Sequence, residues 1–86
     1  MSVIEKLKDL GYEDVVIFDN PSYEDAIVGV SHDNRAIYDF NLMVMWLIEN
    51  EEMEDIDAIE FIEYNTIRSL PYYDDSPIIL YPIDDL

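Results

Sequence analysis

The chain has no cysteine, so a disulfide framework and a thiolate metal site are both excluded, and the redox compartment is left open. Glycine occurs twice, at Gly11 and Gly29, too sparsely to build a phosphate-cradling loop. No serine stands in a Gly-x-Ser-x-Gly elbow, so nucleophilic catalysis has no visible starting point. Positive charge is scarce: four Lys and Arg face 21 Asp and Glu, for a formal charge of −17. That balance argues against direct binding to nucleic acid or to an anionic membrane, and it favours basic proteins or cations as partners. The longest unbroken apolar run, residues 42–48, is far too short to span a bilayer. The amino end lacks a basic region followed by an apolar core, so no secretory signal is visible and a cytoplasmic protein is expected.

What is present is enough for one core. Half of the 86 residues are hydrophobic, and seven Tyr, three Phe and one Trp argue against disorder despite the charge. Without linker, repeat or low-complexity stretch, residues 1–86 read as a single domain.

Ser2 to Glu5 have the spacing of a capping box, and Val3, Leu7 and Leu10 share one helical face. Gly11 sits where a left-handed residue would close that helix, with Tyr12 folding back on Leu7. Residues 15–18, Val-Val-Ile-Phe, read as a buried strand. Residues 26–30 and 35–38 flank Ser-His-Asp-Asn as a hairpin in which Asn34 takes the positive φ, and Gly29 marks a bulge or a close packing contact. Asp39 is placed to cap a helix over 40–48 that is apolar at nearly every angle. Glu54 opens a second, amphipathic helix that ends before Pro71. Ile78 to Tyr81, between Pro77 and Pro82, suit an edge strand. The expected fold is α+β: an antiparallel sheet, a three-stranded meander plus a C-terminal edge strand, packed against helices in the order α-β-β-β-α-α-β.

Function is carried by charge alone. Residues 39–67 hold nine acids and no base, and eight of those acids fall between Glu49 and Glu63. Were that span helical it would run about 22 Å, roughly one charge per 3 Å, against about 3.4 Å per charge along one DNA strand. Glu51, Glu52, Asp57, Glu60 and Glu63 are therefore the candidate contacts for a basic, nucleic-acid-binding protein. The spacing fails the EF-hand pattern, since Met53 and Ile56 interrupt it and no Gly stands at the sixth position. His32 in the hairpin turn is exposed turn polarity rather than a general base, and no metal, cofactor or catalytic residue is expected. The rival reading is a homodimer or larger homo-oligomer through Trp46 or the Met43/Met45 side of the apolar helix, with acidity serving solubility only.

Residues 60–72, Glu-Phe-Ile-Glu-Tyr-Asn-Thr-Ile-Arg-Ser-Leu-Pro-Tyr, and the closing Pro-Ile-Ile-Leu-Tyr-Pro of 77–82 resemble a family of short acidic uncharacterised proteins of Gram-positive bacteria and their phages. The likeness runs from about Tyr23 onward. That family has no known activity, so no catalytic residue carries over. Its phage setting implies a host-directed inhibitor, and anti-CRISPR proteins are similar in size and charge without sharing a motif. Within the segment, Asn65 and Thr66 lie on or beside the apolar stripe, where bonds to nearby backbone are expected. Arg68 is placed to stack on Tyr64 or to pair with an acid.

Overall fold

A computed structural model describes residues 3–83, and the capping role expected of Ser2 lies outside them. Helix α1 spans Val3–Asp9 and buries Leu7. It closes as a Schellman motif: the Tyr12 N–H donates to the Leu7 carbonyl at 2.8 Å and the Gly11 N–H to that of Lys8 at 3.1 Å. Gly11 takes φ +91°, which a side chain would resist.

Among the described residues the sheet has three strands, β1 (Ile27–Val30), β2 (Ala36–Asp39) and β3 (Ile78–Leu80), in that spatial order. β1 and β2 form the expected hairpin. Asn34 has φ 67°, its N–H donates to the Ser31 carbonyl at 2.9 Å, and the Arg35 N–H reaches Ser31 Oγ at 3.1 Å. The register slips between Ile27 and Gly29, so Gly29 marks a bulge, and no side chain packs over it.

Two features of the sheet differ from expectation. β3 is an edge strand, but it runs parallel to β2, so the sheet is mixed. The chain between them is a two-helix crossover, the kind of connection a parallel pair requires. Residues 15–18 do not join the sheet. Val15 and Phe18 are buried, yet the Phe18 N–H donates to the Tyr38 hydroxyl at 3.0 Å rather than to a strand. The segment's buried side chains serve the core, while its Val15 N–H bonds the Tyr12 carbonyl and its Phe18 N–H a side chain.

Helix α2 (Phe40–Glu51) follows β2 directly. Asp39 caps it, its carboxylate accepting from the Leu42 N–H at 3.1 Å. Phe40, Met43 and Leu47 form its buried stripe, Trp46 packs edge-on against Tyr23, and Met45 is half exposed. Met43 has no exposed surface, so the expected Met43/Met45 contact face is divided: residues two apart on a helix point to opposite sides. Glu52 ends the helix in a left-handed conformation, φ 56°, with its N–H on the Leu47 carbonyl.

Helix α3 (Asp55–Phe61) starts after Glu54 and passes without a break into a wide π turn, Ile62–Ile67. Ala58, Ile62 and Thr66 are its buried positions. The buried apolar side chains of all these elements belong to one cluster, with Tyr23, Tyr38, Met43, Leu47 and Ile62 wholly enclosed. Among the described residues no helix is long and apolar enough to cross a membrane.

Candidate functional site

The five predicted acidic contacts are all exposed, but they do not form one continuous ridge. The break at Glu52 separates α2 from α3, leaving Glu51 and Glu52 on the end of one helix and Asp57, Glu60 and Glu63 on the other. Asp57 and Glu60 do converge. With Tyr64 and Asn65 they line a shallow groove whose walls are Met53 and Phe61. Glu63 does not line it. At about 100° per residue, positions 57, 60, 61 and 64 share one helical face and 63 points about 120° away from it. None of the five carboxylates has a hydrogen-bond or ion-pair partner among the described residues. Arg68 stacks on the Tyr64 ring, 5.1 Å from its centroid, so its charge sits at the border of the groove.

Behind this groove lies a deeper cleft of about 420 Å³. One side is the segment 18–23; the other is the wide turn and the residues just after it. Its floor is a hydroxyl pair, Tyr23 and Thr66, 2.7 Å apart and buried. Burial pushes the Tyr23 hydroxyl above its ordinary value of 10.0, with the Thr66 hydrogen bond pulling the other way. Three rings, Phe18, Phe61 and Tyr73, form the walls. Phe18 meets Tyr23 at 5.9 Å and Tyr73 at 6.0 Å, both edge-on. Asp19, Asn20, Asn65 and Ser69 supply polar groups.

The local backbone is unusual on both sides. Tyr23 is fully buried with φ 48°, a left-handed conformation that is rare for a bulky residue, and the Asn20–Pro21 peptide is cis. The π turn faces it. Turns of that kind are uncommon and are frequent at functional sites.

Sequence reasoning did not select Asp19, Asn20, Ser69 or Tyr73. The available signal was the polar pair Asn65 and Thr66 beside an apolar stripe. Asn65 behaves as expected, its Nδ2 donating to the Phe61 carbonyl at 3.2 Å. Thr66 does not: its side chain bonds the Tyr23 hydroxyl across the cleft floor instead of nearby backbone.

His32 sits in the exposed hairpin turn, away from both surfaces. Among the described residues, no group of three or more His, Asp or Glu side chains is placed to hold a metal ion. The fold and these surfaces define a class, a small acidic α+β domain with an anionic groove beside an aromatic cleft. Compared with protein families, with curated proteins and with solved structures, the chain matches none.

Proposed function

We propose that this is a non-enzymatic cytoplasmic binding protein that docks on a basic, nucleic-acid-binding protein, as a nucleic-acid mimic or phage-type inhibitor. The observation that carries the reading is the groove at Asp57 and Glu60. These carboxylates share one face with Tyr64, and neither forms an ion pair among the described residues, Arg68 being stacked on the Tyr64 ring at the border. They lie within a stretch of nine acids without a base. Such a surface raises encounter rates with a basic groove and makes association salt-sensitive. Glu51, Glu52 and Glu63 contribute to the field from neighbouring directions.

The test is capture of basic proteins from a bacterial lysate on the immobilised protein, with elution by salt and competition by duplex DNA. Asp57→Asn, Glu60→Gln and Glu63→Gln together should weaken capture about 3- to 150-fold, taking each exposed charge pair at about 0.2–1 kcal/mol. Capture indifferent to both the triple substitution and the DNA competitor overturns the reading.

The rival reading, a homo-oligomer with acidity for solubility alone, is favoured by exposed Met45 and Ile48 on the outer face of α2. Met43 and Trp46 are committed to the core in this fold. Sedimentation of the wild type against Met45→Lys separates the two: only an oligomer through that face would dissociate.

A further inference from the structure

The cleft is a site in its own right, and its hydrogen-bonding inventory defines what it accepts. On its wide-turn side one Asn65 amide hydrogen and the Ser69 hydroxyl hydrogen are already used. Asn65 gives one amide hydrogen to the Phe61 carbonyl, which turns its Oδ1 away from the helix backbone and leaves its second amide hydrogen free. The Ser69 hydroxyl donates to the Thr66 carbonyl at 2.7 Å, leaving lone pairs to offer. Tyr23 and Thr66 share one hydrogen bond at the floor. On the opposite side the exposed Asp19 carboxylate has no hydrogen bond or ion pair among the described residues. What remains to be met is a lining in which acceptors and one negative charge outweigh the amide hydrogens of Asn20 and Asn65, walled by aromatic rings.

A ligand for such a lining must be rich in donors, poor in acceptors, cationic and able to lie against a ring. A guanidinium fits all four: five N–H donors in a plane, no acceptor, permanent charge and a surface that stacks on aromatic faces. An ammonium meets the charge but not the planar stacking. An anion finds amide hydrogens on Asn20 and Asn65 but faces the unpaired charge of Asp19. The volume of about 420 Å³ lies within the roughly 300–1,000 Å³ range of pockets that enclose small groups, so it suits one side chain and not a helix.

The cleft is also continuous with the anionic groove. Phe61 and Asn65 line both, so a basic segment following Asp57 and Glu60 reaches the cleft by crossing one side-chain ridge. We propose that the cleft between residues 18–23 and the π turn receives the guanidinium of an arginine side chain, presented by the basic partner that the groove attracts. The inference rests on the docking reading for the source of that arginine, and on the cleft alone for its chemistry.

The experiment is an NMR titration of the whole ¹⁵N-labelled protein with Nα-acetyl-arginine amide. The matched citrulline compound, neutral and of nearly equal shape, is the comparison. Saturable shifts are expected at the Asn20, Asn65 and Ser69 amides, and the citrulline compound should bind about tenfold or more weakly, because it lacks the charge-assisted hydrogen bonds. Asp19→Asn and Tyr73→Ala should each weaken the arginine compound several-fold. Asp9→Asn on α1, outside the cleft, should not. Asp19 is exposed, so its substitution leaves the core intact even if Tyr73→Ala perturbs the wall. Absence of saturation, equal binding of citrulline, or indifference to Asp19→Asn overturns the proposal.

The two readings fail separately. Lysate capture that depends on Asp57 and Glu60 with no arginine response in the cleft sinks the cleft proposal alone. An arginine response with no basic protein captured sinks the docking reading and assigns the cleft to a free guanidinium compound.

Discussion

Tyr38 is enclosed on every side, yet its hydroxyl is occupied: it accepts the Phe18 N–H at 3.0 Å while its ring tilts against Phe18 at 4.7 Å. Burial pushes its ionisation up to about 12 from an ordinary 10.0, against the opposing pull of that hydrogen bond. The unfolded chain releases the proton near the ordinary value and the folded chain does not. Between pH 10 and about 12 the unfolded state therefore binds fewer protons, and stability falls as pH rises. Below that window the contribution is complete. Tyr23, raised by the same cause, adds to the decline. Tyr38→Phe should cost about 1–3 kcal/mol at pH 7, because the buried Phe18 N–H loses its acceptor. The same variant should lose stability less steeply between pH 10 and 12 than the wild type. Urea unfolding at pH 7, 10 and 11 measures both effects, and an unchanged alkaline slope would contradict the assignment.

At the scale of elements, β3 is a three-residue edge strand that needs more than its ladder to hold it. Arg35 supplies a second attachment: its Nε donates to the Ser76 carbonyl at 2.7 Å and Nη2 reaches Ser76 Oγ at 3.3 Å, just ahead of the strand. Arg35→Ala should speed hydrogen exchange at the Ile78, Ile79 and Leu80 amides while leaving α2 protected. Equal exchange in both variants would assign the strand's hold to its ladder and to Pro77, which is buried. The same contact shows which parts of the fold were legible in advance. Gly11, Asn34 and Asp39 are legible in the sequence because each acts through its own dihedrals or through groups a few residues away. The sequence of residues 15–18 suggests a strand because the group that satisfies Phe18 lies 20 residues distant. The π turn had no local marker: Thr66 finds its partner in Tyr23, 43 residues away. The direction of β3 was equally hidden, since flanking prolines identify an edge but not an orientation. Of the candidate site, the charge could be read directly. The cleft could not, because it exists only where 18–23 meets 61–73.

For the whole molecule, the charge of −17 acts over extents of 36 × 30 × 29 Å, so ionic strength decides how many acids feel one another. At 0.01 M salt the screening length is about 30 Å, comparable to the molecule; at 0.1 M it is about 10 Å, and only near neighbours interact. Folding gathers these charges, so added salt should stabilise the protein, with each 1 kcal/mol of relieved repulsion raising Tm by about 4–8 °C. The Asp57→Asn, Glu60→Gln, Glu63→Gln variant should melt higher than the wild type at 0.01 M salt, and the difference should shrink by 0.5 M. Docking on a basic partner runs in the opposite direction, weakening over the same range. If acidity serves solubility alone, stability responds to salt and nothing else does. If the groove is a docking surface, one salt series gives a rising melting temperature and a falling affinity, and the same triple substitution diminishes both responses. A wild-type Tm that falls with salt would remove the premise that these acids are held together at a cost, and with it the physical reason to assign them a partner.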